Sequence, residues 1–210
     1  MPIDEQVESA MRRWPQVPAV HGWLRLDRRG RWLLVDRGRP GFDETRDGAG
    51  SEITSPPIVD FIGRNYGADE AGRWYWQNGP QRVFVDLDLA PLVLRVVGEG
   101  PAARLVTHTG YPLDTPDTGW IDADGNVFLE TAMGPGVLHD LDLAGLEIEE
   151  LQPHDGCARN DEPEQDAANP GGPGGKVTGL RLRVGTAWIT LAPLGNQPDA
   201  QMRFVRRPRV

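Results

Sequence analysis

The stretch GRWYWQNGPQRVFVDLDLAP, residues 72–91, sets three aromatic residues before an Asn-Gly-Pro turn and an apolar run after it. Tryptophan, tyrosine and β-branched residues favour strands, and Asn-Gly is a strong hairpin signal. The segment therefore reads as two antiparallel strands joined near residues 78–80, with Pro80 implying a loop wider than two residues. The same texture recurs on both sides. In GWLRLDRRGRWLLV (22–35), Leu24 and Leu26 point to one face, Trp23 and Arg25 to the other, around a DRRG tetrad suited to a type I turn followed by a left-handed glycine. In VTGLRLRVGTAWITLAPL (177–194), Leu180, Leu182 and Val184 alternate with Arg181 and Arg183, and Gly185-Thr186 makes the turn. PLVLRVVGEG and ARLVTHTG read as further strands.

Glycine (26 residues) and proline (19) are spread along the chain, which is the texture of many short elements joined by turns. The expected fold is mainly β: antiparallel hairpins forming sheets or barrels, with one short helix near 57–66. There Ser55 is placed as N-cap, Pro56 and Pro57 occupy the first turn, Ile58, Phe61 and Ile62 share a face, and Gly67 ends the turn. Residues 4–13 read as a second short helix or a terminal arm. Trp23, Trp32, Trp74, Trp120 and Trp188 are expected in the core or at an internal seam.

Two segments repeat. GWLRLDRRGRW (22–32) resembles GWIDADGNVF (119–128), and GPQRVFVDLDLAPLVL (79–94) resembles GPGVLHDLDLAGLEI (134–148), with DLDLA identical at 86–90 and 140–144. The order is kept, which suggests two similar tandem halves, 1–103 and 104–210. Residues 152–176 hold too little apolar surface to offset the entropy of ordering and read as a long mobile loop inserted in the second half.

Charge is unevenly placed. The net charge is -9, and residues 140–166 carry ten acids against Arg159, so the remainder is balanced. Such a segment reads as a solvated loop or as a dock for a basic partner, for which the tail RFVRRPRV is one candidate. The acidic balance also disfavours nucleic acid, although Arg25, Arg28, Arg29 and Arg31 cluster around Trp23 and Trp32. Cys157 is the single cysteine, so no internal disulfide or thiolate metal cluster forms, and a reducing compartment fits best. No run approaches the ~18 apolar residues of a membrane span. A cytoplasmic location is the expectation, with no membrane partner.

FIGRNYGADEAGRWYWQNGPQRVFVDLDLAP, residues 61–91, resembles the signature of an uncharacterised family of proteobacterial proteins, a domain of unknown function. GRW, QNGPQRV and AP are its specific parts. The resemblance implies relatives and carries no activity, cofactor or catalytic residue.

The candidate site lies in the same stretch. Trp74 or Trp76 would stack on a planar or sugar-like ligand, Arg82 would pair an anionic group, and Gln77 and Asn78 would donate hydrogen bonds. The first expectation is thus a non-enzymatic binding or interaction module for a small molecule or protein, with no cofactor. A second is a hydrolase using His108 or His139 with a nearby Asp. A third is a structural subunit of an assembly, and edge strands leave a homodimer open. DADGN (122–126) matches the start of a calcium loop, but Val127 and Met133 stand where Gly and Glu are needed, so it reads as a turn and no metal is expected. His154-Asp155 and Cys157 lie in the loop and lack the fixed geometry that catalysis needs. No nucleophile elbow, phosphate loop or dinucleotide fingerprint is present.

Overall fold

The computed structural model describes residues 3–151 and 179–209. The expected loop at 152–176, with His154, Asp155 and Cys157, lies outside them.

Two sheets divide the strands. The first is ordered β3-β2-β1-β6-β5-β4, from β1 (Val20–Leu26), β2 (Trp32–Leu34), β3 (Ser51–Glu52), β4 (Tyr66–Ala68), β5 (Trp74–Asn78) and β6 (Gln81–Leu87). The second, a curled half-barrel, comprises β7 (Leu92–Val97), β8 (Arg104–Thr107), β9 (Pro112–Leu113), β10 (Thr118–Ile121), β11 (Val127–Thr131), β12 (Gly134–Leu138), β13 (Ile148–Leu151), β14 (Gly179–Val184) and β15 (Ala187–Pro193). Its order is β13-β14-β15-β10-β11-β12-β7-β8-β9. The chain changes sheet between Leu87 and Leu92, while residue 103 lies inside the β7–β8 hairpin. Most pairs are antiparallel hairpins, but β1·β6, β7·β12 and β10·β15 are parallel, so both sheets are mixed.

Five α-helices occur among the described residues, the two expected near 4–13 and 57–66 and three short ones besides: α1 (Glu5–Arg13), α2 (Glu44–Asp47), α3 (Pro56–Arg64), α4 (Asp140–Leu143) and α5 (Pro198–Gln201). In α3 the prolines fill the first turn as expected, and Ile62 is buried while Ile58 faces solvent. The helix stops at Asn65, whose Nδ2 donates to the Phe61 carbonyl oxygen at 3.0 Å. Gly67 belongs instead to β4, opposite Tyr75.

One turn design closes four hairpins. In Asp27–Arg31, the Asp27 Oδ1 accepts from Arg29 N (2.9 Å) and Arg31 N (2.8 Å), its Oδ2 accepts from Arg31 Nε (2.7 Å), and Gly30 takes φ +81°. Asp69–Arg73 repeats this lattice with Ala71 N, Arg73 N and Arg73 Nε, and Asp122–Asn126 with Asp124 N, Asn126 N and Asn126 Nδ2. Thr107–Tyr111 is a hydroxyl version, Oγ1 accepting from Tyr111 N at 3.0 Å. Each is a three-residue loop ending in a left-handed glycine, held by a side chain that occupies the N–H groups which the turn leaves unpaired. Asp122 therefore spends its oxygens on its own backbone and on Asn126, which accounts for DADGN as a turn.

The QNGP turn is tighter than expected. Asn78 pairs directly with Gln81, leaving Gly79 and Pro80 as a two-residue loop. Gly79 takes φ +56°, and Pro80 follows at the position where a type II′ turn needs the φ that proline supplies.

A single apolar cluster joins both sheets, from Leu26 and Val85 in the first to Phe128, Leu129 and Ile189 in the second, all fully buried. Each such side chain contributes about 1.5–3 kcal/mol by leaving water. Tyr66 sits at the junction: its ring lies 4.9 Å from both Trp32 and Trp74, and its hydroxyl donates to the Pro91 carbonyl oxygen at 2.9 Å. Of the five tryptophans expected inside, Trp32 and Trp74 are buried and Trp120 packs against the cluster. Trp23 and Trp188 turn to the opposite face of their strands; Trp188 lies under the Arg181 guanidinium, 4.2 Å away.

The identical DLDLA segments differ in structure: 86–90 continues β6 into a bend, whereas 140–144 opens as α4. Residues 202–209 lie on the first sheet, and among the described residues no ion pair joins them to the acids at 140–151. Met202 and Phe204 are buried, Leu87 N donates to the Arg206 carbonyl oxygen (2.8 Å), and Arg209 grips Asp86 through two bonds of 2.7 and 3.0 Å.

Candidate functional site

Strand alternation divides the five candidate residues between the two faces of the first sheet. Trp74 and Trp76 share the inner face with Val83 and Val85. Trp74 is 4% exposed, with its ring against Tyr66 and the backbone of Gly134, and Trp76 packs edge-on to Phe61 at 5.9 Å. Neither offers an open stacking face, because the core already occupies it. Asn78 projects into solvent at the turn.

Gln77 and Arg82 stand opposite each other on the outer face, beside the cross-strand pair Tyr75 and Phe84. An aromatic and cationic layer forms here. The Arg82 guanidinium lies 4.3 Å over Tyr75, Tyr75 meets Phe84 edge-on at 5.9 Å, Arg73 covers Phe84 at 4.8 Å, and His21 stacks on Phe84 at 4.6 Å. Burial, with Arg73 and Arg209 adding to it, holds the His21 pKa below its ordinary value.

Arg82 has no carboxylate within 4.0 Å among the described residues, unlike Arg25, Arg29 and Arg31, which engage Asp88, Asp140 and Asp27. The expected arginine cluster around Trp23 is thus largely neutralised within the fold. Gln77 is 1% exposed. Its Nε2 donates to the Gly79 carbonyl oxygen at 2.9 Å, which turns Oε1 the other way, where no donor meets it. Beside them Met11 from the last turn of α1 and the C-cap residue Trp14, half exposed, close a cleft of about 340 Å3. Trp14 escaped the sequence reading because nothing local ties residues 11–19 to β5 and β6.

Among the described residues, the histidines do not assemble a relay. His108 is half-buried, with its Nε2 enclosed, beside Trp32 and Tyr66; it accepts a bond from Val93 N through Nδ1, and loss of hydration drives its pKa down to about 4. His139 Nδ1 accepts from Leu141 N (3.1 Å), and the neighbouring Asp140 Oδ1 accepts from the same N–H (3.0 Å) while Arg29 holds its other oxygen. His139 Nδ1 and Asp140 Oδ1 themselves lie 3.2 Å apart, both engaged by that one backbone N–H. Among the described residues, no three His, Cys, Asp or Glu side chains converge as metal ligands, and no helix is long and apolar enough to cross a membrane.

A larger cleft, about 890 Å3, opens elsewhere, between the Asp69–Arg73 turn, the β11–β12 hairpin and Arg203.

The model of the family described as "Protein of unknown function (DUF2946)" matches residues 3–208. Among solved structures, the chain is similar to a DUF1285 family protein from Silicibacter pomeroyi DSS-3, at 19% identity over 70% of this chain and 87% of that one, TM-score 0.42. It is similar also to a DUF1285 family protein from Shewanella baltica OS155, at 14% identity over 59% and 88%, TM-score 0.40. No curated protein matches the chain.

Proposed function

We propose that this chain, which belongs to the DUF2946 family, is a non-enzymatic cytoplasmic binding module whose ligand sits in the Trp14–Gln77–Arg82 cleft. One observation carries the reading: among the described residues, a guanidinium without a carboxylate partner, Arg82, stands beside a buried carbonyl oxygen without a donor, Gln77 Oε1. An orphaned buried acceptor costs about 1–3 kcal/mol, a penalty that a bound N–H donor would lift. Stacking on Tyr75 presents Arg82 as a preorganised fork for an anion, and Trp14 adds a flat wall. The volume suits a compact planar acid that carries a ring N–H.

The experiment is a tryptophan-fluorescence titration with pyrrole-2-carboxylate, using furan-2-carboxylate as the analogue without the N–H. Pyrrole-2-carboxylate should saturate and bind about tenfold more tightly, as one hydrogen bond to a buried acceptor predicts. Arg82→Met should abolish both responses while leaving Tm near wild type. Equal affinities, or no saturation with either acid, would refute the reading.

A further inference from the structure

The 890 Å3 cleft is separate from the Arg82 site and differs in chemistry. Its half-buried apolar lining is Met133 and Tyr111, while Trp74 beside them is buried against Gly134. Charges of both signs border that lining, with Glu70 of the Asp69–Arg73 turn exposed at its rim. Glu130 projects from β11 and Arg203 from the segment after α5, and among the described residues neither has an ion-pair partner within 4.0 Å. Asp69 is not available in the same way, since Arg73 and three backbone N–H groups of its own turn fill its oxygens and its carbonyl.

Arg203 is also the one non-glycine residue among those described with a left-handed backbone, φ +56°. That conformation costs an L-residue about 1–2 kcal/mol and persists only where its surroundings enforce it. The enforcement is visible: Met202 and Phe204 on either side are buried, Phe204 N donates to the Asp199 carbonyl oxygen (3.0 Å), and Val205 N donates to that of Gly72 (2.9 Å). The Arg203 side chain therefore leaves a rigidly held Cα toward the cleft. Loss of hydration pushes the Glu130 carboxyl up, with Arg203 opposing the shift.

We propose that this cleft binds a zwitterionic ligand of amino-acid type, its ammonium group on Glu130, its carboxylate on Arg203 and its apolar side chain on Met133 and Tyr111. A singly charged ligand would answer one wall and leave the other charge to water; a ligand carrying both answers both. The guanidinium fork matches a carboxylate in two parallel bonds, and the volume is within the ~300–1,000 Å3 of small-molecule sites. Free amino acids and the ends of a dipeptide share this chemistry.

Calorimetric titration of the full chain with L-leucine, dileucine, 3-methylbutylamine (no carboxylate) and 4-methylpentanoate (no ammonium) tests the assignment. L-leucine or dileucine should bind at least tenfold more tightly than either half-ligand, and the stronger of the two identifies the source. Arg203→Gly keeps the left-handed backbone while removing the guanidinium, and should erase the preference over the amine. Glu130→Gln should erase the preference over the acid. Arg82→Met should leave both preferences intact, so failure at the Trp14 cleft would not be mistaken for failure here. Absence of heat with L-leucine and dileucine at millimolar concentration, or discrimination that survives both variants, would overturn the proposal.

Discussion

Gly72→Ala tests whether residues 202–206 are a working part of the first sheet. Gly72 ends the Asp69–Arg73 turn with φ +73°, and a Cβ built there overlaps the Arg203 carbonyl oxygen and stands 3.2 Å from Phe204 Cα. Backbone cannot step aside as a flexible side chain would. Three costs follow: about 1–2 kcal/mol for alanine in a left-handed conformation, about 1 kcal/mol for the Val205 N to Gly72 O bond, and about 1–2 kcal/mol for partial exposure of Met202 and Phe204, given ~1.5–3 kcal/mol for full burial of each. The total of about 4 kcal/mol lowers Tm by roughly 8–16 °C for a chain of this size. Gly79→Ala is the matched control, because it shares the positive φ, +56°, but its Cβ would meet nothing within 4 Å. It should cost only the backbone term, about 1–2 kcal/mol. Thermal unfolding by circular dichroism measures both, and equal losses for the two variants would refute the close approach.

Other expectations are narrower. His108 is neutral and half-buried with a folded pKa of about 4, below its ordinary value, so its stabilising contribution is complete above pH ~6.5 and is lost as pH falls from there to ~4. Denaturant titrations should show a fall of about 3 kcal/mol across that window, to which His21 adds in the same direction, and His108→Leu should flatten most of it. Tyr66→Phe leaves the buried Pro91 carbonyl without its partner and should cost about 1–2 kcal/mol by the same measurement. Millimolar calcium should not shift Tm, since the Asp122 oxygens are occupied by turn N–H groups; a shift abolished by Asp122→Asn would show the loop to be a metal site after all.

Local chemistry was readable and long-range pairing was not. DRRGR and DADGN announce their hairpins because each turn is complete within five residues, and DEAGR at 69–73 carries the same signal although the eye is drawn past it to the tryptophans. The parallel partners β1·β6, β7·β12 and β10·β15 join segments tens of residues apart, and no spacing rule encodes them. Alternation showed that Trp23 and Leu24 face opposite ways, but it does not identify the inner face when both carry large apolar side chains. DLDLA adopts two conformations because five residues hold too little intrinsic preference to resist their surroundings. Pro80 misled for a definite reason: its fixed φ suits the second position of a tight turn once Gly79 takes the left-handed first position. Of the candidate site, Gln77 and Arg82 share a cleft, whereas Trp74 was read as a platform and is core. Glu130 and Arg203 lie 73 positions apart in ordinary sequence, and only the fold brings them to one cleft.

The seating of residues 202–209 on β6 also sets an order of events during synthesis. The first sheet uses residues 20–87, all made before the half-barrel begins at Leu92, yet Asp86 and Leu87 await partners at Arg209 and Arg206. A nascent chain therefore holds the Asp86 carboxylate and the Leu87 N–H without these partners while more than a hundred further residues are added. Translation speed and chaperone access across that interval bear directly on the yield of folded protein.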